Sequence, residues 1–112
     1  MLYTLNIRES IDYYVGILGF TCEDFAEEWG WASLSHDQIS VMLSKPNEHQ
    51  KFNGPHFTGS IYFRMTGVDK YYQEIKDRVD ICYPIETFHY GMREFGIYDI
   101  NRYLLQFGEP RE

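Results

Sequence analysis

The sequence is poor in several features that would assign it a class at once. It has two cysteines, Cys22 and Cys82, in 112 residues. Two thiols make no disulfide framework and point to reduced, buried cysteines in a cytoplasmic protein. No apolar run approaches ~20 residues, which excludes a membrane-spanning helix. Basic residues are scarce: ten Lys plus Arg stand against 17 Asp plus Glu, giving a net charge of −7 and a pI near 5.0. Duplex nucleic acid draws its affinity from basic side chains on phosphates, so it is a poor partner for this chain. The start, Met1-Leu2-Tyr3-Thr4, has neither a basic segment nor a long apolar one, so no secretory leader is expected. Aromatic residues, by contrast, are plentiful: ten Tyr, eight Phe and two Trp, within a 44% hydrophobic composition. That content excludes disorder and suffices for one domain spanning 1–112.

Two similar runs of elements fill the chain. Leu2 to Leu5 reads as a short strand. Asn6 followed by Glu9 is a capping-box pattern, and Ile7, Ile11, Tyr14, Val15 and Leu18 continue it as one apolar helix face, closed by Gly19. Strands are expected at Phe20–Phe25, Trp29–Ser35 and Ile39–Ser44, the last two joined by the turn His36-Asp37-Gln38. A polar stretch, 45–57, reads as a linker, with Pro46, Asn47, Asn53, Gly54 and Pro55. A strand then recurs at Ser60–Met65. A second helix follows from Thr66-Gly67-Val68-Asp69, with apolar positions Val68, Tyr71, Tyr72, Ile75 and Val79. Ile81–Tyr83, Glu94–Tyr98 and Tyr103–Phe107 complete the run, the last two joined by the turn Asp99–Arg102.

The halves superimpose as sequences. An offset of 61 places Ile7 on Val68, Ile11 on Tyr72, Tyr14 on Ile75 and Leu18 on Val79. An offset of 64 places Trp31 on Phe95, Val41 on Leu105 and Leu43 on Phe107, so three residues are inserted between helix and hairpin. A β-α-β-β-β order occurring twice indicates a duplication, with module one at about 1–44 and module two at about 58–109. A single ferredoxin-like sheet has two strands between its helices and does not fit this count.

Two segments carry a family resemblance. Ser10-Ile11-Asp12-Tyr13-Tyr14-Val15-Gly16-Ile17-Leu18-Gly19-Phe20 resembles the S-x-x-F-Y…LGF opening of the vicinal oxygen chelate superfamily, which includes glyoxalases, bleomycin-resistance proteins and extradiol dioxygenases. The stretch from Tyr90 to Pro110 is similar to the family's closing pattern, G-x-R-x-F-x-x-x-D-P-x-G-x-x-L-x-F. The resemblance covers essentially the whole chain. It implies an α+β fold of two βαβββ modules with curled mixed sheets around a concave cleft. Asp99-Ile100-Asn101-Arg102 departs from the family's Asp-Pro-x-Gly turn, so Asn101 and Arg102 must supply the turn chemistry.

The resemblance also implies where a metal would be held: His or Glu on the first strand of each module, and Glu near the end of the last. Here those places read Ser60 in module two, and Gln106 with its counterpart Met42 on the last strands; the first-strand place of module one falls before Met1. A hydroxyl and an amide are weak, uncharged ligands and a thioether suits soft metals, so neither metal nor cofactor is expected. His36, His49, His56 and His89 form no metal-ligand spacing, no Ser-His-Asp set appears, and Gly96 and Gly108 are isolated. No catalytic set is assigned.

A binding cleft remains. Strand alternation turns Ile61, Phe63 and Met65 towards the helix and Ser60, Tyr62 and Arg64 towards the cavity. By the same rule Met42, Leu104 and Gln106 face the cavity, and Glu94 follows if Phe95 and Ile97 are core. Trp29, Trp31 and Phe57 are candidates for the rim. A buried Arg64 would need a partner, with Glu94 or a ligand carboxylate available. The expected function is metal-independent binding of a small molecule, cationic or aromatic, resembling the drug-sequestering bleomycin-resistance branch; aromatic rings bind such groups by stacking and cation–π contact. The alternative is a lyase, isomerase or dioxygenase with a non-standard metal site using Glu94, His56 or His89. The family commonly forms homodimers, and the short first strand suits such pairing.

Overall fold

The first helix begins at Asn6 as the spacing to Glu9 predicts, but a different residue completes its cap. The computed structural model describes residues 1–46, 52–55 and 60–111. In it, the Asn6 side-chain oxygen accepts from the Glu9 N–H at 3.0 Å. The reciprocal arm comes from upstream, where the Asn6 N–H donates to Thr4 Oγ1 at 3.2 Å. Helix α1 spans Ile7–Gly16. Its inward residues are Ser10 and Tyr14, with Leu18 just beyond its end, a strict i, i+4 row. Val15, expected on that face, falls off this row and is exposed. Ser10 is tolerated inside because its hydroxyl meets Thr4 Oγ1 at 2.7 Å and neither group is left unpaired. Gly19 takes φ +79°, and beyond it the Phe20 N–H bonds the Tyr14 carbonyl at 2.9 Å, ending the helix.

The chain forms two compact units, Met1–His56 and Phe57–Glu112. In the first, β1 (Leu2–Tyr3), β2 (Thr21–Ala26), β3 (Trp31–His36) and β4 (Ile39–Ser44) make a sheet in the order β1-β4-β3-β2, with β1 parallel to β4. Ala32, Leu34, Val41 and Leu43 are its buried face, and α1 packs against β3 and β4. The strand expected from Trp29 starts later, because Glu27–Trp29 is a single 3-10 turn closed by Gly30 at φ +62°.

The second unit repeats the order. Strand β5 (Ile61–Arg64), helix α2 (Val68–Ile75) and strands β6 (Asp80–Thr87), β7 (Met92–Tyr98) and β8 (Leu104–Pro110) give a sheet in the order β5-β8-β7-β6, with β5 parallel to β8. The N-terminus of α2 has no cap of its own, since Gly67 precedes it at φ +76°. Glu109 of β8 supplies one, accepting from the N–H groups of Gly67 at 3.0 Å and Val68 at 3.3 Å. The Gly67 N–H, before other causes, holds the Glu109 carboxyl below its ordinary value. Val68, Tyr71 and Ile75 bury against Phe95, Ile97, Leu105 and Phe107, with the Phe95 and Phe107 rings stacked at 5.3 Å.

Two expectations are corrected here, the register of the repeat and the burial of the thiols. The register pairs Ala32 with Leu43 and Phe95 with Phe107, so the counterpart of Phe95 is Ala32, and that of Trp31 is Glu94. In the last turn Asp99 Oδ1 accepts from the N–H groups of Asn101 and Tyr103, both at 2.9 Å. That bracing lets Arg102 take the left-handed place at φ +73°. Cys22 is half-buried and Cys82 is exposed on β6, where its thiol lies 3.4 Å from the Tyr98 hydroxyl; the thiols are not core residues. Among the described residues no helix is long and apolar enough to cross a membrane.

Candidate functional site

Alternation on the second sheet separates a helix side from an open side. Phe95, Ile97, Leu105 and Phe107 are fully buried, which turns Glu94, Gly96, Gln106 and Gly108 the other way. On β5, Tyr62 and Arg64 are exposed while Ile61 and Phe63 are half-buried. The register sets these residues in two rows across the sheet. One runs Tyr62, Gln106, Gly96, Tyr83; the next runs Arg64, Gly108, Glu94, Glu86.

The two glycines are seats for two tyrosine rings. A β-carbon on Gly96 would come within 2.9 Å of Tyr83 Cδ1, and one on Gly108 within 2.6 Å of Tyr62 Cζ. The rings therefore lie over bare backbone, and Glu94 beside them has no exposed surface. A chain of hydrogen bonds satisfies that buried carboxylate. Tyr83 Oη donates to Glu94 Oε2 at 2.8 Å, and the Tyr90 hydroxyl donates to Oε1. Gln106 Nε2 donates to Tyr83 Oη at 2.8 Å, and Ser60 Oγ donates to Gln106 Oε1. Burial first, and then contact with Glu94, push the Tyr83 phenol well above its ordinary value. Burial and the Glu94 charge raise Tyr62 as well, with Arg64 pulling the other way. Both phenols are thus neutral donors at pH 7.

Above this floor is a cavity of about 500 Å³ lined by Tyr62, Arg64, Tyr90, Met92, Glu94 and Gln106. Tyr90 is held there by stacking on Phe88, 5.6 Å apart and 6° from parallel, while Phe88 meets the Tyr83 ring edge-on at 5.8 Å.

Of the residues chosen from sequence, Tyr62, Arg64, Glu94 and Gln106 meet in this cavity, and Ser60 joins through Gln106. Leu104 shares the face but pairs with Tyr98 and lies outside the lining. Trp29 and Trp31 meet elsewhere, in a hollow of about 360 Å³ on the first unit with Met1, Ala26 and Ser44. Met42 is exposed on the first sheet opposite Ser33. Phe57, His49 and His56 lie outside the described residues. His89 is exposed in the turn beside Tyr90. The expectation of a buried Arg64 is corrected: Arg64 is exposed, and of its two candidate partners Glu94 is not one, since the Tyr62 ring over Gly108 stands between them. Sequence reasoning missed Tyr83, Tyr90, Met92 and the two glycine seats. The available signal was a glycine inside a strand, which marks close approach of another group to the backbone.

The donor set does not fit a divalent cation. Ser60 and Gln106, where the sequence resemblance would put metal ligands, carry no charge and bond to each other. Glu94 is engaged by Tyr83 and Tyr90, and the described residues contain no group of three or more His, Cys, Asp or Glu placed to hold an ion.

Fold and site together define a duplicated βαβββ protein with a tyrosine-rich cavity on its second sheet. The chain belongs to the Glyoxalase/Bleomycin resistance protein/Dioxygenase superfamily, whose family model matches residues 1–107. It is similar in fold to TioX from Micromonospora sp. ML1, with a TM-score of 0.80 at 20% identity over 99% of this chain and 93% of that one. A protein of unknown function from Agrobacterium tumefaciens str. C58 gives 0.78 at 21% identity, over 96% and 87%. A lactoylglutathione lyase from Agrobacterium tumefaciens gives 0.71 at 15% identity, over 96% and 88%. No curated protein matches the sequence.

Proposed function

We propose that the protein binds a small aromatic molecule in the second-sheet cavity without a metal ion, as drug-sequestering members of the superfamily do. The observation that carries this reading is the closed chain from Ser60 through Gln106 and Tyr83 to Glu94. Its Ser60 and Gln106 are the residues that the resemblance sets in place of metal ligands, and the chain fixes these side chains, so the cavity above is a preorganised surface. The Tyr62 and Tyr90 rings and the Met92 thioether offer stacking and sulfur contacts to a planar ligand. The working form we propose is a homodimer, since a two-residue β1 leaves a short edge open to pairing.

A thermal-shift screen with antibiotics and aromatic metabolites, run in excess chelator, tests the reading. A ligand that binds only the folded state adds ~2.7 kcal/mol at a hundredfold excess over Kd, a clear rise in melting temperature. A panel that raises it only after Zn²⁺, Ni²⁺ or Mn²⁺ is added contradicts metal independence.

A further inference from the structure

The cavity's charge differs from that of the chain. The protein has six arginines, and four of them form carboxylate pairs: Arg8 with Glu27, Arg93 with Asp69, Arg102 with Asp80, and Arg111 with Asp69 and Glu109. Arg64 forms no ion pair among the described residues, although 17 acidic residues are available in the chain. It lines the cavity instead.

From this we infer that the ligand is an aromatic acid, a planar ring bearing a carboxylate, sulfonate or phosphate, and that Arg64 receives its anionic group. The inference rests on the reading of this cavity as a binding site. A guanidinium presents parallel N–H donors that match a carboxylate or phosphate, and it is more weakly hydrated than an ammonium. The exposed Tyr62 and Tyr90 rings and Met92 lie in the same cavity and supply the wall for the attached ring. Two carboxylates share the Arg64 row. Glu94 lies two strand spacings away, ~10 Å between backbones in the sheet plane, with Gly108 and the Tyr62 ring seated on it in between. Glu94 is also fully buried, takes the Tyr83 and Tyr90 hydroxyls and forms no ion pair with Arg64, which leaves the guanidinium's donors open to a ligand. Glu86 is one strand further, exposed at the far end of the row. The chain's charge of −7 therefore does not set the charge of the ligand.

Three isosteres separate the possibilities: 2-naphthoate, 2-naphthamide and 2-naphthylmethylammonium, titrated into wild type and Arg64→Gln and followed by NMR of the tyrosine rings. Arg64 is exposed, so the variant retains the fold, which its near-UV circular dichroism checks. The expected result is naphthoate binding about tenfold or more tightly than the amide, with that preference abolished in Arg64→Gln. Tightest binding of the ammonium compound, or a naphthoate preference that survives in Arg64→Gln, overturns the inference. Failure of all three to shift the Tyr62 and Tyr90 signals counts against the binding site itself and removes the inference with it.

Discussion

The Tyr83 ring fills the space that a β-carbon would take on Gly96, and from that seat its hydroxyl reaches Glu94 at 2.8 Å. Neither Gly96 nor Gly108 has a positive φ, so neither is required by the backbone. What requires a glycine is the ring above it. In a strand, Gly→Ala at an unconstrained place stabilises by ~0.4–1 kcal/mol through the unfolded state. Here overpacking outweighs that gain. Gly96→Ala is expected to destabilise by ~1–3 kcal/mol, read as a lower midpoint in urea, and Gly108→Ala by less, because the exposed Tyr62 ring can swing outward whereas Tyr83 is held at its hydroxyl by Glu94 and Gln106. A midpoint at or above wild type would show that the rings are free to move aside.

Glu94 is expected to be part of the fold as well as of the site. Glu94→Ala leaves the Tyr83 hydroxyl without its acceptor and opens a void, at a cost of ~1–3 kcal/mol for the unpaired group. Glu94→Gln keeps the shape and an acceptor, and is expected to cost less. Chemical denaturation orders the pair; an alanine variant as stable as wild type contradicts the hydrogen-bond chain.

The raised Tyr83 phenol makes stability fall in alkali. Above its ordinary value of 10.0 the unfolded chain loses the proton while the folded chain keeps it. The unfolded state then binds fewer protons, so stability decreases as pH rises through that window, by at most ~1.4 kcal/mol per pH unit from this group. Well below pH 10.0 the phenol is neutral in both states and its contribution is constant. Melting temperatures measured from pH 8 to 11 should drop more steeply for wild type than for Tyr83→Phe, and parallel curves refute the assignment.

Homodimer formation is a matter of mass. Light scattering at micromolar concentration should give about twice 13.4 kDa. A monomer across that range removes the proposed assembly.

Much of the fold was legible because it follows local rules. The Asn6–Glu9 spacing, the Gly19 stop and the alternation of β4 and β5 each state their outcome in a few adjacent residues. Tyr62, Gln106 and Glu94 followed from alternation alone. What was hidden depends on partners remote in sequence. Glu109 caps a helix that begins 41 residues earlier, and nothing near Gly67 reveals it. The extension of β6 to Thr87 through bulges put Tyr83 opposite Gly96, a register no local pattern states. Arg64 was misjudged because its neighbour in the row, Gly108, carries no side chain, and Tyr62 takes that space.

The central claim is metal-free ligand binding on the second sheet, and one calorimetric experiment tests it most directly. A ligand found by the thermal screen is titrated into chelator-treated wild type, into Tyr62→Ala, and into wild type with added Zn²⁺. The account predicts one site per chain in wild type, unchanged affinity with Zn²⁺, and affinity weakened by about tenfold or more in Tyr62→Ala. Binding that appears only with Zn²⁺, or that is undiminished in Tyr62→Ala, contradicts it.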